Sequence, residues 1–363
     1  MTLMDSGSEM RTMATLVTGF PRFVAKVLIE RLKELRPEEP VHLVVLPQKL
    51  AAARKHLGRP KGFTIHRGDV ASTDLGLGAD SLSELLPTVR QIIHFAQIHH
   101  PSAGRKIGYQ VNVHGTQHTL RFAQDCAAAQ GGAAPRIVHL SSLFVLGAGS
   151  GRVNAEARAQ YPRHRNWWEA AVHRAEELVL RSGLPYTVLR PGLIIGHSKT
   201  GKIDKLGGLY ELGVMAGQLP RNVPLPRPSS KAMMHATAAD TLADAAIKLS
   251  KAEAANGRII ALDHPNPISA VEFMEAIALE SGRKLARWPI HIGLAGSVAN
   301  TLLRQSPAAR EAAYLNDRNR YDAPDSQAIL RALEVDIPEP RRLLETAIAF
   351  TNATLRARRA HRA

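Results

Sequence analysis

The chain has 363 residues, enough for one large or two modest domains, and 45% of it is hydrophobic, ample for a packed core. Its 47 Lys and Arg against 32 Asp and Glu give a formal charge of +15, which permits an anionic partner. The single cysteine, Cys126, rules out an intrachain disulfide and reads as a buried thiol in a helical stretch over 116–129. No stretch reaches the length of a membrane span, and residues 1–13 are polar with no apolar run, so no signal peptide is expected: they read as a disordered leader, or the true start is Met10 or Met13, and a cytoplasmic location is expected. Basic clusters at 152–165 and 356–362 come without a nucleic-acid module, zinc spacing or interleaved aromatics, so neither a specific nucleic-acid partner nor a metal site is read.

In chain order, Ala14–Thr18 is an apolar run of the buried parallel-strand type. Gly19 closes it. Phe23, Val24, Val27, Leu28, Leu32 and Leu35 then recur on one helical face, with Lys26, Glu30, Arg31, Lys33 and Glu34 on the other. Strand, glycine turn and amphipathic helix open a dinucleotide-binding unit, whose helix N-terminus offers free N–H groups to a pyrophosphate. The turn Gly19-Phe20-Pro21-Arg22-Phe23-Val24-Ala25 keeps only the first glycine of the full fingerprint; Arg22 and Ala25 take the other two places. Ala25 suits close helix packing. Arg22 denies the backbone approach but offers a guanidinium to a phosphate.

Residues 41–46 read as a second strand that runs into Pro47-Gln48-Lys49 without the acid that holds a ribose 2′-hydroxyl. Lys49, with Arg54 nearby, suits a 2′-phosphate and favours NADP over NAD. Strands are predicted over 63–66, 91–96, 136–142 and 186–192, with helical patterns between them. This β–α alternation means a doubly wound parallel sheet with helices on both faces, and a ligand at the carboxyl ends of the strands. Gly19, Asp69, Ala96, Ser142 and Pro191 all fall at or just after those ends. Beyond residue 200, helices are predicted over 238–250 and 270–281 with a strand over 258–263 between them. The apolar stretch 289–303 suits an acyl-chain pocket, a membrane surface or a packed helix. Pro324, Pro338 and Pro340 break helical pieces before a basic tail.

The motifs Val17-Thr18-Gly19-Phe20-Pro21, Gly68-Asp69-Val70, His94-Phe95-Ala96, Val111-Asn112-Val113-His114-Gly115-Thr116 and His139-Leu140-Ser141-Ser142 occur in order, followed by Leu189-Arg190-Pro191-Gly192-Leu193-Ile194-Ile195-Gly196 and Asp263-His264-Pro265. In this order the sequence resembles the extended short-chain dehydrogenase/reductase superfamily, in its thioester-reductase or male-sterility (fatty acyl reductase) branch. The resemblance implies a Rossmann domain over 14–200 completed by the strand at 258–263, a smaller, mostly helical substrate region over 201–350, and a basic tail over 351–363. It implies that Gly19, Phe20, Pro21, Arg22 and Phe23 face the cofactor phosphates, that Asp69 and Val70 contact adenine, and that Ala96 and Gln97 line the ribose path. Asn112 would steady the central helix, and Pro191, Gly192 and Leu193 would meet the nicotinamide carboxamide through backbone groups. Ser142 matches the hydroxyl that binds the substrate carbonyl.

One departure bears on chemistry. The family's catalytic helix carries Tyr-x-x-x-Lys, in which the Tyr moves the substrate proton and the Lys lowers its pKa. In this chain Trp168 and Val172 hold those positions. Tyr161 with Arg165 and His173 are weaker substitutes, and Glu169 reads as a helix-surface acid. Two functions follow: a cofactor-sensing or partner-binding protein of reductase ancestry, or an NADPH-dependent reductase of an acyl thioester, aldehyde or ketone using Ser142 and a non-standard proton donor. In the second, the basic stretch 152–165 would attract a phosphorylated carrier such as acyl-CoA or an acyl-carrier arm. A binder of nucleic acid or anionic surfaces rests on charge alone.

Overall fold

The computed structural model describes residues 13–98, 104–207, 209–218, 222–289 and 314–360. The leader over 1–12 and nearly all of the apolar stretch 289–303 lie outside these.

Seven strands form one parallel sheet: β1 (Ala14–Thr18), β2 (Val41–Val45), β3 (Phe63–Arg67), β4 (Val89–His94), β5 (Arg136–Leu140), β6 (Tyr186–Pro191) and β7 (Arg258–Leu262). Their spatial order is β7-β6-β5-β4-β1-β2-β3. The order reverses between β1 and β4, and such a switch point opens a crevice at the carboxyl ends of the strands. β1 and β2 are buried at every residue, as a sheet covered on both faces requires.

Helix α1 (Phe23–Leu35) and the following α2 (Leu50–Leu57) cover one face with Ala25, Leu28, Ile29, Leu32, Ala53 and Leu57, and α1 packs beside the helix Ala239–Leu249, to which Arg31 is bonded through Asp244 at 2.6 Å. The opposite face is covered by α3 (Gly115–Ala129) and α4 (Trp167–Leu180), which bury Leu120, Phe122, Cys126 and Val179 against Leu16, Ile92, Ile137 and Val188. Burial pushes the Cys126 thiol up to about 12, which leaves it inert. The prediction of a parallel, doubly wound sheet is borne out, with strand ends shifted by one or two residues.

The region after residue 200 has its own core, built from the helices Leu209–Gln218, Ala270–Glu280 and Pro340–Ala360. Pro324 and Pro340 begin helices where breaks were expected. Proline's missing N–H costs nothing in a first turn. The basic segment from 351 continues the last helix, with Thr351 buried. Two short strands absent from the sequence reading, Ser150–Asn154 and Arg318–Asp322, pair in parallel and join this region to the approach to α4. Among the described residues no helix is long and apolar enough to cross a membrane.

Candidate functional site

A crevice of about 810 Å³ opens at the carboxyl ends of β1 to β4. The turn after β1 contributes Gly19, Phe20, Pro21, Arg22 and Phe23 to its wall; the turn after β2 contributes Lys49; the turn after β3, Asp69 and Val70; the loop after β4, Ala96 and Gln97.

Local chemistry shapes each of these turns. Gly19 has φ +94°, and a Cβ there would lie 2.6 Å from the Phe95 backbone, so only glycine lets β1 turn under the end of β4. The Thr18 hydroxyl ties the same two ends, accepting from the Ala96 N–H at 3.2 Å and lying 2.9 Å from His94 Nδ1. A Cβ on Gly68 would meet Leu75 O at 2.6 Å. Asp69 Oδ1 accepts from the Ala71 N–H at 2.9 Å, which fixes its carboxylate on the crevice wall. Arg22 Nη1 donates to the Gln97 carbonyl at 2.6 Å, spanning two turns without filling the space between them. Burial lowers the Arg22 pKa, yet a guanidinium stays cationic. Gln97 donates through Nε2 to the Leu140 carbonyl. Its buried Oε1 has no partner among the described residues, an acceptor that fits a ribose hydroxyl.

The other predicted cofactor residues stand apart from this crevice. Asn112 is buried and clamps the loop after β4, accepting from the Ile98 N–H at 2.7 Å and donating to the Ile98 carbonyl at 3.1 Å. Gly192 N–H donates to Thr237 Oγ1 at 2.9 Å and Leu193 N–H to the His235 carbonyl at 2.8 Å. Of the backbone groups expected to meet a carboxamide, the N–H groups of Gly192 and Leu193 are thus engaged within the protein, beside the parallel pairing of Leu193–Ile195 with Ala236–Ala238. Pro191, which has no N–H, presents its carbonyl to the Ser142 hydroxyl at 3.5 Å.

Helix α4 begins at the N-cap Asn166, whose Oδ1 accepts from the Glu169 N–H at 3.0 Å. Trp168 and Val172 lie one turn apart and pack with Phe144, Val145 and Tyr314 in a buried apolar cluster. Ser142 precedes that cluster and accepts from the Phe144 N–H at 3.3 Å. Contrary to expectation, Glu169 is buried. It accepts from the Arg165 N–H at 2.7 Å and pairs with the Arg165 guanidinium at 3.2 Å. Burial raises its pKa against the pull of Arg165. Tyr161 is fully exposed and takes no part. His173 is half-buried, with its ring 5.1 Å from that of His164, so it is not a plain surface residue. The basic stretch 152–165 is largely neutralised: Arg152 pairs with Asp322, Arg158 with Glu177, and Arg165 with Glu169 and Asp317. This lessens its pull on a phosphorylated carrier.

Tyr314 went unnoticed in the sequence. Its ring lies 4.5 Å from that of Phe144, its hydroxyl accepts from Asn166 Nδ2 at 3.1 Å and meets Glu169, and the Arg165 guanidinium sits 5.6 Å from its centroid. It arrives from far along the chain, and no local motif announces it.

Comparisons with known proteins agree with this geometry. The chain is similar to the terminal R domain of the myxalamid PKS-NRPS pathway, with a TM-score of 0.73 at 22% identity over 95% of this chain and 91% of that one. It is also similar to the UDP-glucose 4-epimerase of Thermus thermophilus in complex with NAD, with a TM-score of 0.60 at 16% identity over 94% and 99%. Both likenesses speak to the fold. Among curated proteins, an NRPS-like oxidoreductase of Fusarium equiseti is 30% identical over 40% of this chain and 15% of its own length. Fatty acyl-CoA reductase wat of Drosophila melanogaster is 24% identical over 55% and 47%. The chain thus spans less than half the length of these relatives. The profile described as male sterility protein, an NAD-binding domain, matches residues 17–246, more than half of the chain. On that match the chain belongs to the male sterility NAD-binding family.

Proposed function

We propose that this protein binds a nicotinamide dinucleotide, NADP(H) in preference to NAD(H), and acts as a cofactor-sensing or partner-binding protein without the tyrosine–lysine proton transfer. The observation that carries this is the burial of Trp168 and Val172 in the apolar cluster with Phe144 and Val145. An indole N–H does not exchange its proton near neutral pH, and valine brings no charge to depress a neighbouring pKa. The family match and the orphaned Gln97 Oε1 support the cofactor class. In this reading Arg22 and the N-terminus of α1 hold the pyrophosphate, Asp69 accepts from the adenine amine, and Lys49 meets the 2′-phosphate. The cofactor, when bound, would supply or take up a hydride.

The test is a calorimetric titration of the purified chain with NADP(H) and NAD(H), followed by NADPH oxidation assays with acyl-CoAs, aldehydes and ketones. Saturable binding, tighter for NADPH, with no oxidation above background is expected. Absence of binding overturns the first half, and sustained turnover the second.

A second reading is an NADPH-dependent reductase of an acyl thioester, aldehyde or ketone, in which Ser142 polarises the carbonyl and Tyr314 gives the proton. It is favoured by the Tyr314 hydroxyl, set between Asn166 and Glu169 with Arg165 over its ring. The names of the fatty acyl-CoA reductase relatives support a thioester substrate. If turnover is found, Tyr314→Phe should abolish it and Trp168→Phe should not.

A further inference from the structure

His42 on β2 and His66 on β3 lie on neighbouring parallel strands, where Val44 pairs with His66 and His42 with Thr64. Two residues apart in register, they share a sheet face, and both are buried. His42 Nδ1 and His66 Nε2 are 2.9 Å apart. The helix Ala79–Leu85 crosses above them and brings Glu84 Oε1 to 3.8 Å from His42 Nδ1. The three ligand atoms all lie within 4.8 Å of one another. In a tetrahedral zinc site with bonds of about 2.0–2.1 Å, neighbouring ligand atoms stand roughly 3.3 Å apart. A small outward shift of the imidazoles and an inward turn of the half-exposed Glu84 reach that spacing.

The surroundings complete the pattern. His66 Nδ1 lies 3.0 Å from Ser81 Oγ. With the proton on Nδ1 and shared with Ser81, Nε2 presents its lone pair towards His42, the outer-sphere arrangement usual for a ligating imidazole. A cleft of about 470 Å³, walled by His42, Glu84, Gly62, Thr64 and Thr88, opens onto the group from solvent. It gives an ion a way in and a water room to bind.

We propose that His42, His66 and Glu84 bind one divalent transition-metal ion of the zinc class, with a water in the fourth position. Two imidazoles and a carboxylate suit such an ion better than calcium or magnesium, which prefer oxygen. The ion would pin the edge strand β3 and the helix Ala79–Leu85 to β2, just below the turn that carries Asp69. This role is structural and independent of the dinucleotide.

The test is a Co(II) titration of the chelator-treated full chain, followed by visible absorption, with Zn(II) competition and thermal unfolding as second readouts. One equivalent should bind with the absorption of a tetrahedral or five-coordinate site, be displaced by Zn(II), and raise the unfolding temperature. Glu84→Gln removes a direct carboxylate ligand and should weaken affinity by more than the roughly 10-fold that loss of an outer-shell partner costs. His66→Gln should weaken it further. Glu84 is exposed, so its variant decides the matter should the His66 variant fail to fold. The chain has 16 histidines, and an ion held elsewhere would show the same stoichiometry and affinity in wild type and in Glu84→Gln. That result, or no uptake at 100-micromolar Co(II), would overturn the proposal.

Discussion

The Arg190 guanidinium and the Glu176 carboxylate meet at 2.5 Å with neither side chain exposed to solvent. Glu176 also accepts from the Ser141 hydroxyl at 2.5 Å, and Arg190 donates to the carbonyls of Ala155 at 2.9 Å and Ala157 at 2.7 Å. This pair bolts α4 to β5 and β6, so the helix keeps its place on the sheet. Removing one partner strands a buried charge. Glu176→Ala is therefore expected to cost about 3–5 kcal/mol, read by urea unfolding, and Arg190→Met with Glu176→Met considerably less.

The proposed function has Trp168 and Val172 standing in for a tyrosine and a lysine on α4, so putting that pair back tests it. Trp168→Tyr with Val172→Lys is expected to raise NADPH oxidation with a thioester or aldehyde substrate by about 10²-fold or more over wild type. Neither single change should suffice, since the lysine acts through the tyrosine pKa. A double variant that folds, binds NADPH and stays silent would show that more than the pair was lost.

Gly19 is fixed by space as well as by conformation. Gly19→Ala places a methyl within 2.6 Å of the Phe95 backbone at a φ of +94°. Loss of about 1–3 kcal/mol of stability is expected for such a backbone, together with loss of NADPH binding, measured by thermal unfolding with and without ligand.

Lys49 is exposed at the rim of the crevice. Lys49→Ala should weaken NADPH binding about tenfold, the worth of one charge-assisted hydrogen bond, and leave NADH unchanged. Equal losses for both cofactors would remove the assigned contact with the 2′-phosphate.

His94 and His139 stack at 5.7 Å inside the sheet, and burial pushes both pKa values from an ordinary 6.5 down to about 3. A neutral buried imidazole means that the unfolded chain takes up the proton first as pH falls. Stability should thus be full above 6.5 and decline below it, by about 1.4 kcal/mol per pH unit for each group. Both His139 nitrogens lack a partner among the described residues, so His139→Leu should keep the fold at pH 7 and make the decline shallower. A flat profile between pH 6.5 and 5 would contradict this.

The parallel sheet was legible because β1, β2, β5 and β6 are apolar-rich runs that end close to Gly19, Pro47, Ser141 and Gly192, with helical patterns between them. The turn residues Gly19, Asp69 and Ala96 were legible for the same reason: strand ends fix where a ligand sits. What escaped depends on distant partners. Arg318–Asp322 reads Arg-Asn-Arg-Tyr-Asp, with no apolar alternation, and is a strand only because Ser150–Asn154 lies beside it. Glu169 looks like any helix acid until Arg165 and Tyr314 close over it. His42, His66 and Glu84 have no motif spacing, and only the sheet register brings the two imidazoles together.

Arg152 and Asp322 are bonded across 170 residues of chain, within the two-stranded ribbon of Ser150–Asn154 and Arg318–Asp322. A connection of that span forms late, because its loop-closure entropy must be met before its contacts reward it. During synthesis the sheet strands up to β6 emerge well before residue 314. Tyr314, which shares the cluster of Trp168 and Phe144, therefore joins it only after residues 181–313 have been made. Completion of the crevice walls at β1 to β4 and completion of that cluster are thus expected as separate events in time.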